Sequence, residues 1–233
     1  MTGGTAPALG TPASGAAIPK AGFTDPTREA QAVFRALLDA LAHPTRPYPV
    51  AGVSTPPGAF GPALAAVALT LLDEDCAVWL GGGLAADTEL AAWLDFHTGA
   101  RRVAEPASAD FAFAAPGELP AFDEFRLGTD EAPHLSTTLV IDVRGIGCDS
   151  PIEAHHFLAT GPGINGSAEL DAPWADRIAD FAGQWTRNAA RFPRGLDLLL
   201  VEERSVQALP RTTRLEAFPM RASRESTGEN REV

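Results

Sequence analysis

Two apolar runs near the end of the chain, Leu196 to Val201 and Val206 to Leu209, are separated only by the polar stretch Glu202 to Ser205 and halted by Pro210. Runs this short, rich in Leu and Val and joined by a short polar turn, read as two antiparallel strands, and a proline that cannot donate to a ladder stops the second.

The rest of the chain supplies the other elements. Asp25 and Pro26 form an N-cap and first-turn pair, and Ala30, Val33, Phe34, Leu37, Leu38 and Leu41 follow at helical spacing until Pro44. A second helix is expected from Pro62 to Leu72. A buried strand is expected at Ala77 to Leu80, broken by Gly81-Gly82-Gly83, and a third helix from Asp87 to His97 with Gly99 as its stop. Strand patterns recur at Asp110 to Ala114, Thr137 to Val143 and Ala154 to Ala159. A fourth helix is expected from Pro173 to Phe192, with Trp174, Ile178, Phe181, Trp185 and Phe192 on one stripe and Arg187, Arg191 and Arg194 opposite. Interleaved helices and strands predict an α/β fold, a mixed β-sheet flanked by helices. The expected organisation is a disordered lead-in over 1–22, crowded with Gly, Ala and Pro, a single domain over 23–218, and a disordered tail over 219–233.

Composition removes several function classes. The formal net charge is −12, which disfavours nucleic acid and anionic membranes as partners. No signal-like start or bilayer-length apolar run is present, and two cysteines make a disulfide framework improbable, so a cytoplasmic location is expected. The chain has one lysine, Lys20, inside the expected lead-in. Schiff-base and P-loop chemistry both require a lysine in the fold, so neither is expected, and anions would have to be held by Arg, hydroxyls or backbone amides.

The candidate ligand residues are Arg211, Thr212 and Thr213, which with Arg214 follow the hairpin and could hold a phosphate or phosphonate through charge-assisted bonds. Their ordinary alternative is to tie the last strand to the sheet. His97 sits at a helix end whose dipole favours its cation, though a capping role is the commoner use of such a residue. Asp73-Glu74-Asp75 could gather Mg²⁺ but reads more simply as a solvated turn. Gly81-Gly82-Gly83 could receive an anion at a helix start but lacks the spacing of a dinucleotide fingerprint. His155-His156 is a weak metal pair, because strand neighbours face opposite sides. No metal site is expected and no catalytic residue is assigned.

One resemblance runs through these segments. Phe192-Pro193-Arg194-Gly195-Leu196-Asp197 to Ala208-Leu209-Pro210-Arg211-Thr212-Thr213 is similar to the H subunit of the bacterial carbon-phosphorus lyase system. So are Asp25-Pro26 with Ala30-Gln31, Phe34-Arg35, Leu37-Leu38 and Ala40-Leu41, then Leu69 to Asp73 with Asp75 and Val78-Trp79-Leu80, and Phe96-His97-Thr98. The resemblance implies the architecture of pyridoxal-phosphate-dependent transferases without the cofactor. It implies a subunit, scaffold or ligand-binding, of the complex that forms ribose 1-phosphonate 5-triphosphate from ATP and an alkylphosphonate in phosphonate catabolism. It implies no cofactor bound by this chain, ATP and Mg as substrates of the complex, a homodimer when isolated, and the G, I and J subunits as partners. The alternative reading is a stand-alone small-molecule-binding protein or enzyme acting on a phosphorylated ligand.

Overall fold

A computed structural model describes residues 20–146 and 156–217. The expected turn at Gly147, Cys148, and the start of the third strand pattern at Ala154 and His155 lie outside the described residues, as do 1–19 and 218–233. The helices are α1 (Pro26–Ala42), α2 (Pro62–Leu71), α3 (Gly82–Ala85), α4 (Thr88–His97) and α5 (Phe181–Ala189). The strands are β1 (Tyr48–Pro49), β2 (Ala77–Leu80), β3 (Arg101–Arg102), β4 (Phe111–Ala114), β5 (Thr138–Asp142), β6 (His156–Thr160), β7 (Ala168–Asp171), β8 (Asp197–Val201), β9 (Ser205–Leu209) and β10 (Arg214–Ala217).

The expected hairpin is present as β8 and β9, with Leu198 opposite Leu209 and Val201 opposite Val206. It lies inside a seven-stranded mixed sheet of order β1-β9-β8-β5-β4-β2-β3. The run β3-β2-β4-β5-β8 is parallel, while β9 is antiparallel to both β8 and β1. The fold is therefore α/β with a mixed sheet. Strand alternation divides the core: Leu199, Val201, Phe113 and Val140 face a layer of α1, α2 and α4, whereas Leu198, Leu200, Leu139 and Ile141 face α5 and a second, three-stranded antiparallel sheet of order β10-β6-β7. Of that second sheet only β6 was anticipated, by the pattern at Ala154 to Ala159; β7 buries only Leu170 and β10 has no fully buried residue, too sparse an alternation to stand out.

Four expectations need correction. Phe34 and Leu38 are each 49% exposed, because α1 packs inward through Val33, Ala36, Leu37 and Ala40. Gly82 and Gly83 do not merely break β2; they open the short helix α3. The fourth helix is split: Asp180, at φ +48, interrupts it after a 3-10 turn at Ala175–Arg177, and it ends at Ala189, leaving Phe192 64% exposed rather than on the buried stripe. Lys20 is not part of a loose lead-in. Its ammonium lies 2.9 Å from Glu89 and donates to the Pro56 carbonyl, and its own carbonyl accepts from Trp93 and contacts His97. The chain's one lysine is thus folded, but committed to an ion pair against α4.

Candidate functional site

In an open parallel sheet, ligands settle beyond the carboxyl ends of the strands where the strand order reverses. Here the chain runs outward from β2 to β3 and returns to β4 on the other side of β2, so the reversal lies between β2 and β4. Gly81, Gly82 and Gly83 leave β2 at this point. Their amides do not stand open: the Glu118 carboxylate, from the turn after β4, accepts from Gly83 N at 2.8 Å and lies where side chains on Gly81 or Gly83 would go. The protein supplies its own anion there.

The neighbouring carboxyl end of β5 holds a second charged pair. Arg144 donates from Nε to Asp142 at 2.8 Å and from Nη2 at 2.6 Å, a bidentate pairing that raises the guanidinium pKa above its ordinary value against the cost of burial. Arg144 Nη2 also donates to the Ala59 carbonyl at 2.9 Å. The Arg144 guanidinium occupies the space a Cβ on Gly61 would take, so a larger residue there would push it aside. Across this loop, Asp87 caps α4 by accepting from Glu89 N and Leu90 N and also accepts from Ala59 N at 2.8 Å. Bonds from these amides, Leu90 foremost, hold the Asp87 carboxyl below the ordinary carboxylate range. Sequence spacing did not single out Arg144, Asp142 or Glu118, and it named Asp87 only as the start of a helix. The only signal was local: Asp142 ends an apolar strand and Arg144 lies just beyond it.

The residues selected from sequence lie elsewhere. Arg211, Thr212 and Thr213 are together at the amino end of β8. Arg211 pairs with Asp197 through Nε and Nη2, and donates to the Pro133 carbonyl at 3.0 Å, the Pro193 carbonyl at 3.3 Å and Ser136 Oγ at 2.7 Å. Thr213 is fully buried; its carbonyl accepts from Trp185 Nε1, and its hydroxyl finds no hydrogen-bond partner. Thr212 is half-buried. His97 packs at 4.8 Å from Trp93 and 4.9 Å from Phe96, its Nε2 2.9 Å from the Lys20 carbonyl, and makes no hydrogen bond with the Arg211 group. Asp73, Glu74 and Asp75 form an exposed turn, with Asp73 accepting from Asp75 N. His156 lies 3.8 Å from Asp171. Among the described residues no three His, Cys, Asp or Glu side chains gather as metal ligands.

The Arg211 cluster unites segments far apart in the chain. The description "Bacterial phosphonate metabolism protein (PhnH)" matches residues 21–216. The chain belongs to the PhnH family. It is 41% identical over 196 residues, 83% of this chain and 94% of the relative, to a Rhizobium meliloti (strain 1021) protein named alpha-D-ribose 1-methylphosphonate 5-triphosphate synthase subunit PhnH. It is 33% identical over 188 residues, 79% of this chain and 85% of the relative, to a Stutzerimonas stutzeri protein named putative C-P lyase subunit protein HtxG. In this PhnH member, the signature from Phe192 to Thr213 has a structural explanation. Gly195 sits at φ +126 with the Asn188 amide against it, Asn188 clips Leu196 through both its N–H and C=O, and Asp197 receives Arg211.

Proposed function

We propose that this chain is the H-type subunit of a carbon-phosphorus lyase core complex. It takes part, as a scaffold or ligand-binding subunit, in forming ribose 1-phosphonate 5-triphosphate from ATP and an alkylphosphonate during phosphonate catabolism. The observation that carries the reading is the 41% identity spread over 94% of a relative named as a subunit of that synthase. The second relative, also named a subunit, points the same way.

The chain works in the cytoplasm, binds no pyridoxal phosphate or other cofactor of its own, and meets ATP and Mg only as substrates of the assembled complex. Its sheet belongs to the pyridoxal-phosphate-dependent transferase architecture, a likeness supported by the mixed seven-stranded sheet and by the ion-paired state of Lys20, the chain's one lysine. The isolated chain is a homodimer and lacks a complete active site. Supporting the last point, Arg211 spends its guanidinium on the fold and Glu118 fills the glycine turn at the sheet reversal. No helix among the described residues is long and apolar enough to cross a membrane.

The test is co-expression of the tagged chain with the G, I and J subunits, affinity capture, native mass measurement, and an assay of adenine release from ATP plus methylphosphonate. The expected result is a stoichiometric assembly whose adenine release disappears when this chain is omitted. Capture of the chain alone, or full adenine release without it, would overturn the reading.

A further inference from the structure

The carboxyl end of β2 has two sides, and they are finished differently. On the β4 side the Glu118 carboxylate fills the glycine turn. On the β3 side the ladder stops short. It holds two register pairs, Ala77 with Arg101 and Val78 with Arg102, and its last bond runs from Val103 N to the Val78 carbonyl at 2.9 Å. One more step would take Leu80 N–H to the Val103 carbonyl, but β2 continues beside β4 alone, as far as Leu80 opposite Phe113. A strand residue turns its N–H and C=O to the same side, and Leu80 turns them as Val78 does, toward β3. Among the described residues neither group has a hydrogen-bond partner, although Leu80 is only 8% exposed. Buried backbone groups are nearly always paired with protein, water or a bound molecule, so this donor and acceptor mark a place that receives one.

The wedge where the two strands part is a cavity of about 300 Å³ whose lining includes Trp79, Leu80, Ala85, Arg102, Val103 and Ala104. A water takes up about 30 Å³ of liquid, so the wedge has room for a small organic molecule. Its lining narrows the choice. Arg102, the one charged residue there, already donates to Asp95 through Nε at 3.2 Å and Nη2 at 3.1 Å, which leaves no unopposed charge to draw an anion in. A sugar needs polar side chains around its hydroxyls, and the remaining ones here are apolar or aromatic. A hydrocarbon would leave the Leu80 groups unpaired. A peptide strand would find a single residue to pair with. A flat heterocycle with a donor and an acceptor on one edge meets every condition. Its face would lie against Trp79, a half-buried indole held at 85° to Phe125 with 5.7 Å between ring centroids. Nucleobases have this chemistry and stack on aromatic side chains, and the crevice beyond the carboxyl ends of parallel strands is where nucleotides settle in open α/β sheets.

We propose that the wedge between β2 and β3 binds a nucleobase, adenine in the assembled complex, which pairs with the backbone of Leu80 and lies against Trp79 while sugar and phosphates stay outside. The choice of adenine rests on the subunit reading above; the chemistry of the wedge does not.

The experiment titrates the purified full chain with adenine, adenosine, ATP with Mg and inorganic tripolyphosphate, read by tryptophan fluorescence and calorimetry. Of the chain's four tryptophans Trp93, Trp174 and Trp185 are buried, so a ligand in the wedge reports through Trp79. Saturable quenching by adenine, adenosine and ATP with similar affinities is expected, and no response to tripolyphosphate. Trp79→Leu should abolish the quenching and weaken calorimetric binding about tenfold, the scale of one base–aromatic stack. Ala104→Phe fills the wedge from an exposed position and should remove binding with the thermal midpoint unchanged, whereas Ala182→Phe, exposed on α5, should bind as wild type. No binding of adenine at millimolar concentration would overturn the proposal, as would undiminished binding by Ala104→Phe or displacement by tripolyphosphate, which would make the site one for anions. Should Trp79→Leu misfold, Ala104→Phe decides. Capture of the G, I and J subunits by wild type and Ala104→Phe is measured alongside: lost capture by wild type sinks the subunit reading, and lost base binding sinks this one.

Discussion

Every nitrogen of the Arg211 guanidinium that can donate does so, to Asp197, Ser136 and two carbonyls. Its side chain is 13% exposed and that of Asp197 is 23% exposed, so removing one partner strands a charge in a poorly hydrated place. Asp197→Ala should therefore cost about 3–5 kcal/mol, measured by urea denaturation, whereas an exposed pair such as Arg187–Asp180 should cost under about 1 kcal/mol. Asp87 gives a different kind of prediction. Its carboxyl lies below the usual 3.8 in the folded protein, so the native state binds fewer protons than the unfolded one as acid is added. Its stabilising contribution is fully present above the unfolded pKa near 3.8 and is lost as pH falls through the folded value. Asp87→Ala should destabilise by about 1–2 kcal/mol at neutral pH, and its stability should converge on that of wild type below the folded pKa. Chemical denaturation at pH 7 and along a descending pH series below 3.8 checks both halves.

At the scale of single elements, α1 shows what a periodic pattern can and cannot say. The apolar spacing and the Asp25 cap were legible in the sequence, and the helix begins and ends within a residue of where they place it. The buried face was not, because Ala36 and Ala40 carry little hydropathy of their own and yet let the helix lie close on the sheet. Leu37→Ala should cost about 2–5 kcal/mol while its neighbour Leu38→Gln should stay within about 0.5 kcal/mol, a contrast readable from thermal melts. The split of the expected fourth helix was illegible for another reason. Nothing in Ala179-Asp180 breaks a helix by composition; the interruption is imposed by tertiary packing, where Gln184 reaches back to Ala179 and across to Phe122. Gly195 is the converse case, a local requirement written in one residue. Gly195→Ala would force a Cβ against Asn188 at φ +126, and a loss of about 1–3 kcal/mol in equilibrium unfolding is expected.

For the whole molecule, the α/β class and the hairpin could be read from the sequence, since both rest on local apolar patterns. The carboxyl-edge group of Glu118, Asp142 and Arg144 could not, because it is assembled by strand order. The family signature was visible as a string of residues, but its physical meaning is a set of contacts spanning Pro133 to Thr213. The two rims of the main sheet carry a further consequence. Each is only two residues long: one ends in Pro49, which has no N–H to offer, and the other is Arg101-Arg102, both exposed and cationic. Chains that would stack rim to rim are turned away by a missing donor on one side and by charge repulsion on the other. Fibrous or open-ended growth through the rims of this seven-stranded sheet is disfavoured at both ends.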